Sequence, residues 1–231
     1  MQEATIRALI ISADDYGYRP AYDRGILEAA GSGAVDAVGV IVRRGQVDAA
    51  ALLATGVEVG LHLELVVPGG TRATEAQRSA AAAAIAEQLA SFERAFGRPP
   101  TFLDGHHHCH AAPGLASVVA REAAGAAMAV RSVDSRHRRL LRCVGVPTPD
   151  LLVGRLSESE EALPGEVEAL ASGDETPGGV IEWMVHPGHP DPASASAYDA
   201  GRGEDLRLLL ELLDAGPLRR LRATHAAALA T

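Results

Sequence analysis

The stretch ALIISADDYG runs from Ala8 to Gly17 and joins an apolar segment to two adjacent acids and a glycine. Its aliphatic part is typical of a buried strand, and the acids follow where such a strand would end. Similar apolar runs recur along the chain and alternate with longer segments whose apolar residues are spaced by three and four. This alternation predicts an α/β fold of strand–helix units around a parallel sheet, either open or closed into a barrel.

Six segments have strand-like composition: Arg7–Ser12, Ala37–Val42, Val57–Val66, Thr101–Asp104, Ala127–Val133 and Val180–His186. Helices are predicted between them, at Ala21–Ala30, Thr74–Phe96, Pro113–Gly125, Glu160–Ser172 and Glu204–Ala215. About six or seven such units favour a barrel-like domain. Because no Gly-, Ser- or Pro-rich linker divides the chain, residues 1–231 are predicted to form a single domain.

The composition excludes several function classes. All 21 basic residues are arginine, and the absence of lysine excludes Schiff-base enzymes and ordinary P-loop nucleotidases. The formal net charge of −9 argues against a nucleic-acid partner. The densest basic cluster, Arg136–Arg142, has no interleaved aromatic residues and is interpreted as a solvated loop or an anion contact.

The sequence also predicts a cytoplasmic protein that has no membrane partner. No apolar run approaches the ~20 residues that span a bilayer. The amino terminus lacks the basic and apolar pattern of a secretory signal. Two cysteines, Cys109 and Cys143, do not make a disulfide framework. Homo-oligomer formation is left open, since no heptad pattern or exposed apolar stripe favours it.

Polar side chains gather at the predicted strand ends, where functional groups of βα proteins lie. Asp14 and Asp15 follow the first strand. Neighbouring strand residues point to opposite faces, so both carboxylates can serve one site only if the backbone turns there, which Gly17 would permit. The alternative is a strand that ends in a solvated turn.

Four of the nine histidines lie in the segment Asp104–His110. If this segment is extended, His106, His108 and His110 face one way. Burying several imidazoles requires a hydrogen-bond partner for each, and neutral imidazole is a common metal ligand. The segment therefore predicts a metal or catalytic site.

Two further histidines are associated with apolar strands. His62 lies on the polar side of its predicted strand, although a half-exposed strand explains that pattern without a ligand. His186 ends the last predicted strand and could exchange protons near neutral pH, or could simply pack under the turn that follows. Trp183 precedes it, and core packing is favoured there over contact with a sugar.

A mixed set of Asp15, His62 and one or more of His106, His108 and His110 would make an open metal site. Such a site leaves positions for water and substrate. The residues alone therefore indicate a metal-dependent hydrolase without specifying its substrate.

Several segments resemble the YdjC-like (ChbG/HpnK) carbohydrate deacetylases. They occur in the family's order: ADDYG at Ala13–Gly17, RGILEA at Arg24–Ala29, VGLHLEL at Val59–Leu65, FGRPPTFLDGHHHCHAAPG at Phe96–Gly114 and MVHPGHPD at Met184–Asp191. The resemblance implies a distorted (β/α) barrel related to the polysaccharide deacetylase fold. It also implies removal of acetyl groups from N-acetylated mono- or oligosaccharides with one divalent metal ion, which releases acetate and a free amino sugar.

By this resemblance, Asp14 is the general base and His186 the general acid. The metal ligands would be Asp15, His62 and His106. Both zinc and magnesium fit the family, and two imidazoles with one carboxylate suit zinc better, because magnesium prefers oxygen ligands.

The chain departs from the family's pattern near the expected substrate site. Arg43 stands where asparagine is usual after the second strand, and Tyr18-Arg19 replaces a common Leu-Ser. Arg19 and Arg43 would add positive charge at the rim, which makes an acidic or phosphorylated sugar an alternative substrate. The remaining candidates for contact with the substrate, or for support of the ligands, are His108, His110 and Trp183.

Two other interpretations remain at this point. One is another metallohydrolase on the same scaffold, acting on a cyclic amide or a phosphoester. The other is a non-catalytic protein that binds a metal or a sugar.

Overall fold

A computed structural model describes residues 7–45, 47–69, 73–154, 179–196, 198–212 and 219–230. Within these ranges seven parallel strands form one sheet in the order β5-β4-β3-β2-β1-β7-β6. The strands are β1 (Ala8–Tyr16), β2 (Ala37–Val40), β3 (Glu58–Leu63), β4 (Phe102–Gly105), β5 (Ala129–Val130), β6 (Leu151–Val153) and β7 (Val180–Val185). The sheet curls into a half-barrel, which confirms the predicted α/β class and distorted barrel.

Helices surround this sheet. They are α1 (Pro20–Gly31), α2 (Ala49–Ala54), α3 (Glu75–Phe96), α4 (Ala116–Gly125), α5 (Ser135–Cys143), α6 (Asp199–Leu212) and α7 (His225–Ala228), with a 3-10 helix at His106–Ala111. In the described part of the chain, no helix combines the length and the apolar character needed to cross a membrane.

The longest helix begins and ends where its sequence signals indicate. Thr74 caps α3, and its side chain accepts a hydrogen bond from the backbone N–H of Gln77, whose own side chain bonds back to Thr74. Gly97 ends the helix with φ +68°, a left-handed conformation that glycine adopts without strain. The predicted helix Thr74–Phe96 therefore agrees with the structure to within a residue.

Other segments differ from the predictions. The predicted strand Ala127–Val133 forms ladder pairs only at Ala129–Val130, while β6, α2 and α5 were not predicted. The basic cluster is a helix and not a loop, because the Asp134 carboxylate caps α5 by accepting from the N–H of His137 at 2.7 Å. The predicted helix Glu160–Ser172 lies outside the described residues.

Alternation along the strands separates two environments. Leu9, Ile11 and Ala13 of β1 face outward and pack in the large core beneath the helices. The other set of strand residues faces the barrel interior, which is polar near the carboxyl ends of the strands. The interpretation of β3 as half-exposed is wrong, because all its residues are buried and its polar side, with Glu58 and His62, lines that interior.

Small residues make room inside the barrel. A Cβ on Gly60 would lie 2.5 Å from the ring of Phe102, and one on Gly39 would lie 3.2 Å from both carboxylate oxygens of Asp104. Both glycines therefore allow larger side chains of β4 to fill the interior.

The amino-terminal end of the interior is closed by an apolar cluster. Its buried members are Ala8, Ile10, Ala37, Phe102, Ala129, Val180 and Ala228. The His225 ring of α7 stacks on Phe102 with centroids 4.1 Å apart. The Glu58 carboxylate accepts hydrogen bonds from the His225 backbone N–H at 2.6 Å and lies 3.0 Å from its Nδ1. We call this end the base of the barrel.

Candidate active site

The two acids of β1 reach the same cavity because the strand contains an irregularity. The register of β1 against β2 shifts between Ala13 and Tyr16, and Asp15 has φ +75°, an uncommon conformation for a residue other than glycine. Since this breaks the alternation of side chains, Asp14 and Asp15 both line one cavity. The backbone turn that allows both carboxylates to serve one site is therefore present, and Asp15 itself adopts the left-handed conformation.

This cavity opens at the carboxyl ends of the strands and has a volume of about 270 Å³. It collects six of the side chains selected from the sequence: Asp14, Asp15, His62, His106, His108 and His186. Their positions along the chain are far apart, so the parallel sheet is what brings them together.

Asp15, His62 and His106 have the geometry of a metal-binding set. One ligand atom from each lies within 4.8 Å of the others. Asp15 Oδ1 is 3.2 Å from His62 Nε2 and 2.9 Å from His106 Nδ1. Two imidazoles and one carboxylate that converge in this way fit a divalent cation with open coordination positions.

A hydrogen bond from Nδ1 fixes the orientation of the His62 ring. Its Nδ1 lies 2.8 Å from Asp104 Oδ1, so Nδ1–H donates to that carboxylate and Nε2 is directed toward Asp15. Burial lowers the pKa of His62, but the nearby carboxylates of Asp104 and Asp14 outweigh it and raise that pKa well above its usual value. A cation bound at Nε2 would therefore compete with a proton.

The histidine run forms 3-10 turns that are interrupted by a kink at His107 and His108, so the expectation of an extended segment is wrong. His107 and His108 have φ values of +49° and +55°, and this left-handed winding replaces alternation. As a result the consecutive residues His106, His107 and His108 all line the cavity. His110 is fully buried instead, with Nε2 3.1 Å from the backbone oxygen of Arg131.

Arg131 was not selected from the sequence, yet it lies at the centre of the buried charges. Its Nη1 and Nη2 donate to the two carboxylate oxygens of Asp14 at 2.6 and 2.8 Å, which is a bidentate contact. Nη2 also lies 2.8 Å from Asp104 Oδ2, and Nε donates to Glu182 at 2.8 Å. A lone charged residue within the apolar stretch AMAVRSV was the available signal.

Arg131 also determines the charge state of Asp14. Burial raises the pKa of this carboxyl, but the guanidinium of Arg131 and the imidazole of His62 outweigh it and hold the pKa well below its usual range. Asp14 is therefore a carboxylate at all physiological pH values, with an orientation fixed by the bidentate contact.

His186 faces Asp14 across the cavity. Its Nε2 is 4.0 Å from Asp14 Oδ2, and its backbone N–H donates to Asp205 of α6 at 2.9 Å. The side chain remains partly accessible from the cavity. An imidazole and a fixed carboxylate thus lie beside the same cavity.

Arg202 of α6 lines the cavity and was also not selected from the sequence. Its Nη2 donates to Asp15 Oδ2 at 2.5 Å, and its guanidinium lies 3.8 Å from the centroid of the Tyr22 ring. The residue follows a predicted strand end by 16 positions and lies on a helix, so no local pattern marks it.

The sequence model of the family described as "YdjC-like protein" matches residues 8–212. The chain belongs to the YdjC-like family. This membership confirms the resemblance seen in the sequence.

Two relatives of this YdjC-like protein carry names of activities. A chitooligosaccharide deacetylase of Escherichia fergusonii is 34% identical over 148 residues, which are 54% of this chain and 59% of that protein's length. A carbohydrate deacetylase of Geobacillus stearothermophilus is 28% identical over 228 residues, which are 89% of this chain and 90% of that protein.

Solved structures share the fold. A protein of Enterococcus faecalis V583, for which cleavage of cellobiose phosphate has been suggested, superposes with a TM-score of 0.81 at 22% identity, covering 98% of this chain and all of that one. A family 4 acetyl xylan esterase of Clostridium thermocellum, solved with a cobalt ion, gives 0.52 at 14% identity, covering 95% of this chain and 89% of that one.

Besides His110, three of the residues selected from the sequence lie outside the cavity of this YdjC-like protein. Trp183 is fully buried in the outer core, where its Nε1–H donates to the carbonyl of Gly154 at 2.8 Å. Arg19 pairs with Asp191 at 2.9 Å. Arg43 lines a separate groove.

A different arginine lies close to the cavity wall. Arg44 stacks on the ring of Tyr18, a cavity residue, at 4.1 Å from the centroid, and pairs with Glu64 at 2.6 Å. The positive charge at this side of the cavity rim therefore comes from Arg44 and not from Arg43, and the carboxylate of Glu64 balances it.

Proposed function

We propose that this YdjC-like protein is a metal-dependent carbohydrate N-deacetylase, which hydrolyses the acetamide of a small N-acetylated mono- or oligosaccharide. One observation carries the proposal: a fixed carboxylate, an imidazole and a convergent Asp–His–His set surround a single cavity. The deacetylase names of two relatives support the substrate class.

The metal-binding set fits the cofactor that this reaction needs. Asp15, His62 and His106 would hold one divalent cation, and two imidazole nitrogens suit zinc better than magnesium. Bound there, such a cation supplies Lewis acidity to the acetamide carbonyl.

Asp14 is the proposed general base. Arg131 holds both of its oxygens in place, and Asp14 Oδ2 faces the side of the cavity where His186 lies. The carboxylate would accept a proton from the attacking water as the new C–O bond forms. Its pKa is low, so it would hold that proton only briefly, and the proton can pass on through the cavity.

His186 is the proposed general acid. When the C–N bond of the tetrahedral adduct breaks, the departing nitrogen requires a proton, and a protonated imidazole can supply it. The proton accepted by Asp14 can return to His186, whose Nε2 is 4.0 Å from Asp14 Oδ2, and the acetic acid that is formed loses its remaining proton to solvent. Water and acetamide are thereby converted into acetate and a free amine.

The size and surroundings of the cavity favour a short substrate. A volume of about 270 Å³ is at the lower limit of ligand sites and accommodates one sugar ring with its acetamide.

Cys109 and Cys143 are both free thiols, which supports a reducing, cytoplasmic location.

Acetate release from a panel of acetylated mono- and disaccharides tests the proposal. We expect turnover that stops with a chelator and returns with zinc. Asp14→Asn should bind the metal normally and lose at least about 100-fold in kcat. Asp134→Asn, which keeps a helix cap outside the cavity, is the matched control.

Several results would count against this function. Metal-loaded protein that releases no acetate from any acetylated sugar at high concentration would overturn the substrate class. Turnover of a cyclic amide or a phosphoester without acetate would favour another metallohydrolase. Tight metal binding with no turnover of any kind would favour a non-catalytic binding protein.

A further inference from the structure

Arg202 is held rigidly beside the proposed metal ligands. Its side chain is 4% exposed, and its guanidinium stacks on Tyr22. The Gly188 backbone packs against it so closely that a Cβ on this glycine would lie 3.3 Å from Arg202 Cδ. The arginine therefore has little freedom to choose another rotamer.

The two oxygens of Asp15 have different neighbours. Oδ2 accepts from Arg202 Nη2 at 2.5 Å, whereas Oδ1 faces His62 and His106. Asp15 lies at the irregularity of β1, with a left-handed backbone. Arg202 holds its carboxylate from α6.

We propose that Arg202 is the positioning residue for Asp15, and that it leaves a single carboxylate oxygen for the metal. This inference rests on the proposed function. With one oxygen held by the guanidinium, Asp15 binds a cation through the other, and positions stay open for water and substrate. Hydrogen bonds to ligating carboxylates have this orienting effect generally, and their loss lowers metal affinity about 10- to 100-fold.

Two possible roles of Arg202, as a counter-charge to Asp15 and as its positioning residue, predict opposite changes in metal affinity when the arginine is removed. A guanidinium close to a cation repels it, so an arginine that acted only as a counter-charge to Asp15 would weaken metal binding. Its removal would then tighten the binding. A positioning residue has the reverse effect, because its removal releases the carboxylate.

Cobalt(II) titration of the metal-free full chain distinguishes the two, with visible absorption as the readout. Arg202→Met should bind cobalt about tenfold more weakly than the native chain, and its absorption spectrum should change as Asp15 rotates. The matched control is Arg222→Met, which removes an arginine paired with Asp36 away from the cavity and should leave both readouts unchanged. Equal or tighter cobalt binding by Arg202→Met would overturn the inference.

Arg202→Lys provides a second test if the methionine variant fails to fold, as judged by circular dichroism. Lysine keeps the charge but lacks the planar group that stacks on Tyr22. Its cobalt affinity should fall between those of the native chain and the methionine variant, and native affinity would overturn the positioning role. Failure of the native chain itself to bind cobalt would instead overturn the metal-dependent function, and this inference with it.

Discussion

A buried histidine faces two carboxylates at each end of the barrel interior. In the cavity, His62 lies between two aspartates, and at the base, His225 lies between two glutamates. Both imidazoles have a raised pKa because the carboxylates outweigh burial. The difference is access: His62 borders an open cavity with a second imidazole nearby, whereas His225 is closed off by stacking on Phe102. The same pairing can thus serve chemistry at one end and packing at the other.

Arg131 connects the two ends, and its removal should have the largest effect. Arg131→Met would leave Asp14, Asp104 and Glu182 as buried carboxylates without their shared cation. Breaking a buried charge network from one side costs about 3–5 kcal/mol, so urea unfolding should show a loss of this size. Arg222→Met, which breaks a partly exposed pair, should cost about 1 kcal/mol or less. Equal losses for the two variants would contradict the central role of Arg131.

His62→Gln should weaken metal binding in the cavity and have little effect on the stability of the chain. Because this variant removes a proposed ligand, cobalt affinity should fall on the order of 100-fold or more. The unfolding free energy of the metal-free chain should change by about 1 kcal/mol, since a cavity wall can admit water where the imidazole was. Native cobalt affinity would show that His62 serves packing, as His225 does.

His225→Gln should give the opposite result. The glutamine cannot carry the charge that Glu58 and Glu182 face, and stacking on Phe102 is lost. We expect a loss of about 2–3 kcal/mol in urea unfolding, with cobalt affinity unchanged within about twofold. A fall in cobalt affinity would show that the base supports the cavity through Glu182 and Arg131.

The charge on His225 also gives stability a defined pH dependence. Burial lowers its pKa, but the carboxylates of Glu182 and Glu58 outweigh it and raise the pKa to about 9. A folded pKa above the unfolded value of about 6.5 means that the contribution is complete below pH 6.5 and is lost as the pH rises through about 9. The difference in unfolding free energy between the native chain and His225→Gln should therefore shrink between pH 6 and pH 10, to the part that stacking on Phe102 contributes. A constant difference would show that His225 acts by packing alone.

Arg43→Ala should have the smallest effect, because this residue belongs to neither end. It lines a groove separate from the cavity, so kcat/KM for any accepted sugar should stay within about twofold and stability within about 0.5 kcal/mol. Arg44→Ala is the informative companion, since Arg44 stacks on a cavity residue. A larger effect from Arg43 than from Arg44 would restore the sequence-based interpretation of the rim.

Strand periodicity and strand-end chemistry predicted much of this arrangement. Asp14 and His186 were found because each lies at a predicted strand end, and parallel strands place such ends together. His62 was found because it lies on the polar side of its predicted strand. Arg131 and Arg202 were missed because their carboxylate partners are 117 and 187 positions away, and a single sequence contains no pattern at such distances. Local periodicity also cannot show a left-handed residue, which is why the extended interpretation of the histidine run was wrong.

Strained backbone positions are usual targets for engineering thermostability, but in this protein several of them line the cavity. Asp15, His107 and His108 have positive φ and line the cavity, and a residue other than glycine in this conformation costs about 1–2 kcal/mol. Glycine at the two histidine positions would relieve that strain, so a screen for heat resistance would select it. The stabilised variants would lose the imidazoles from the cavity wall, and screens on this scaffold should hold these positions fixed.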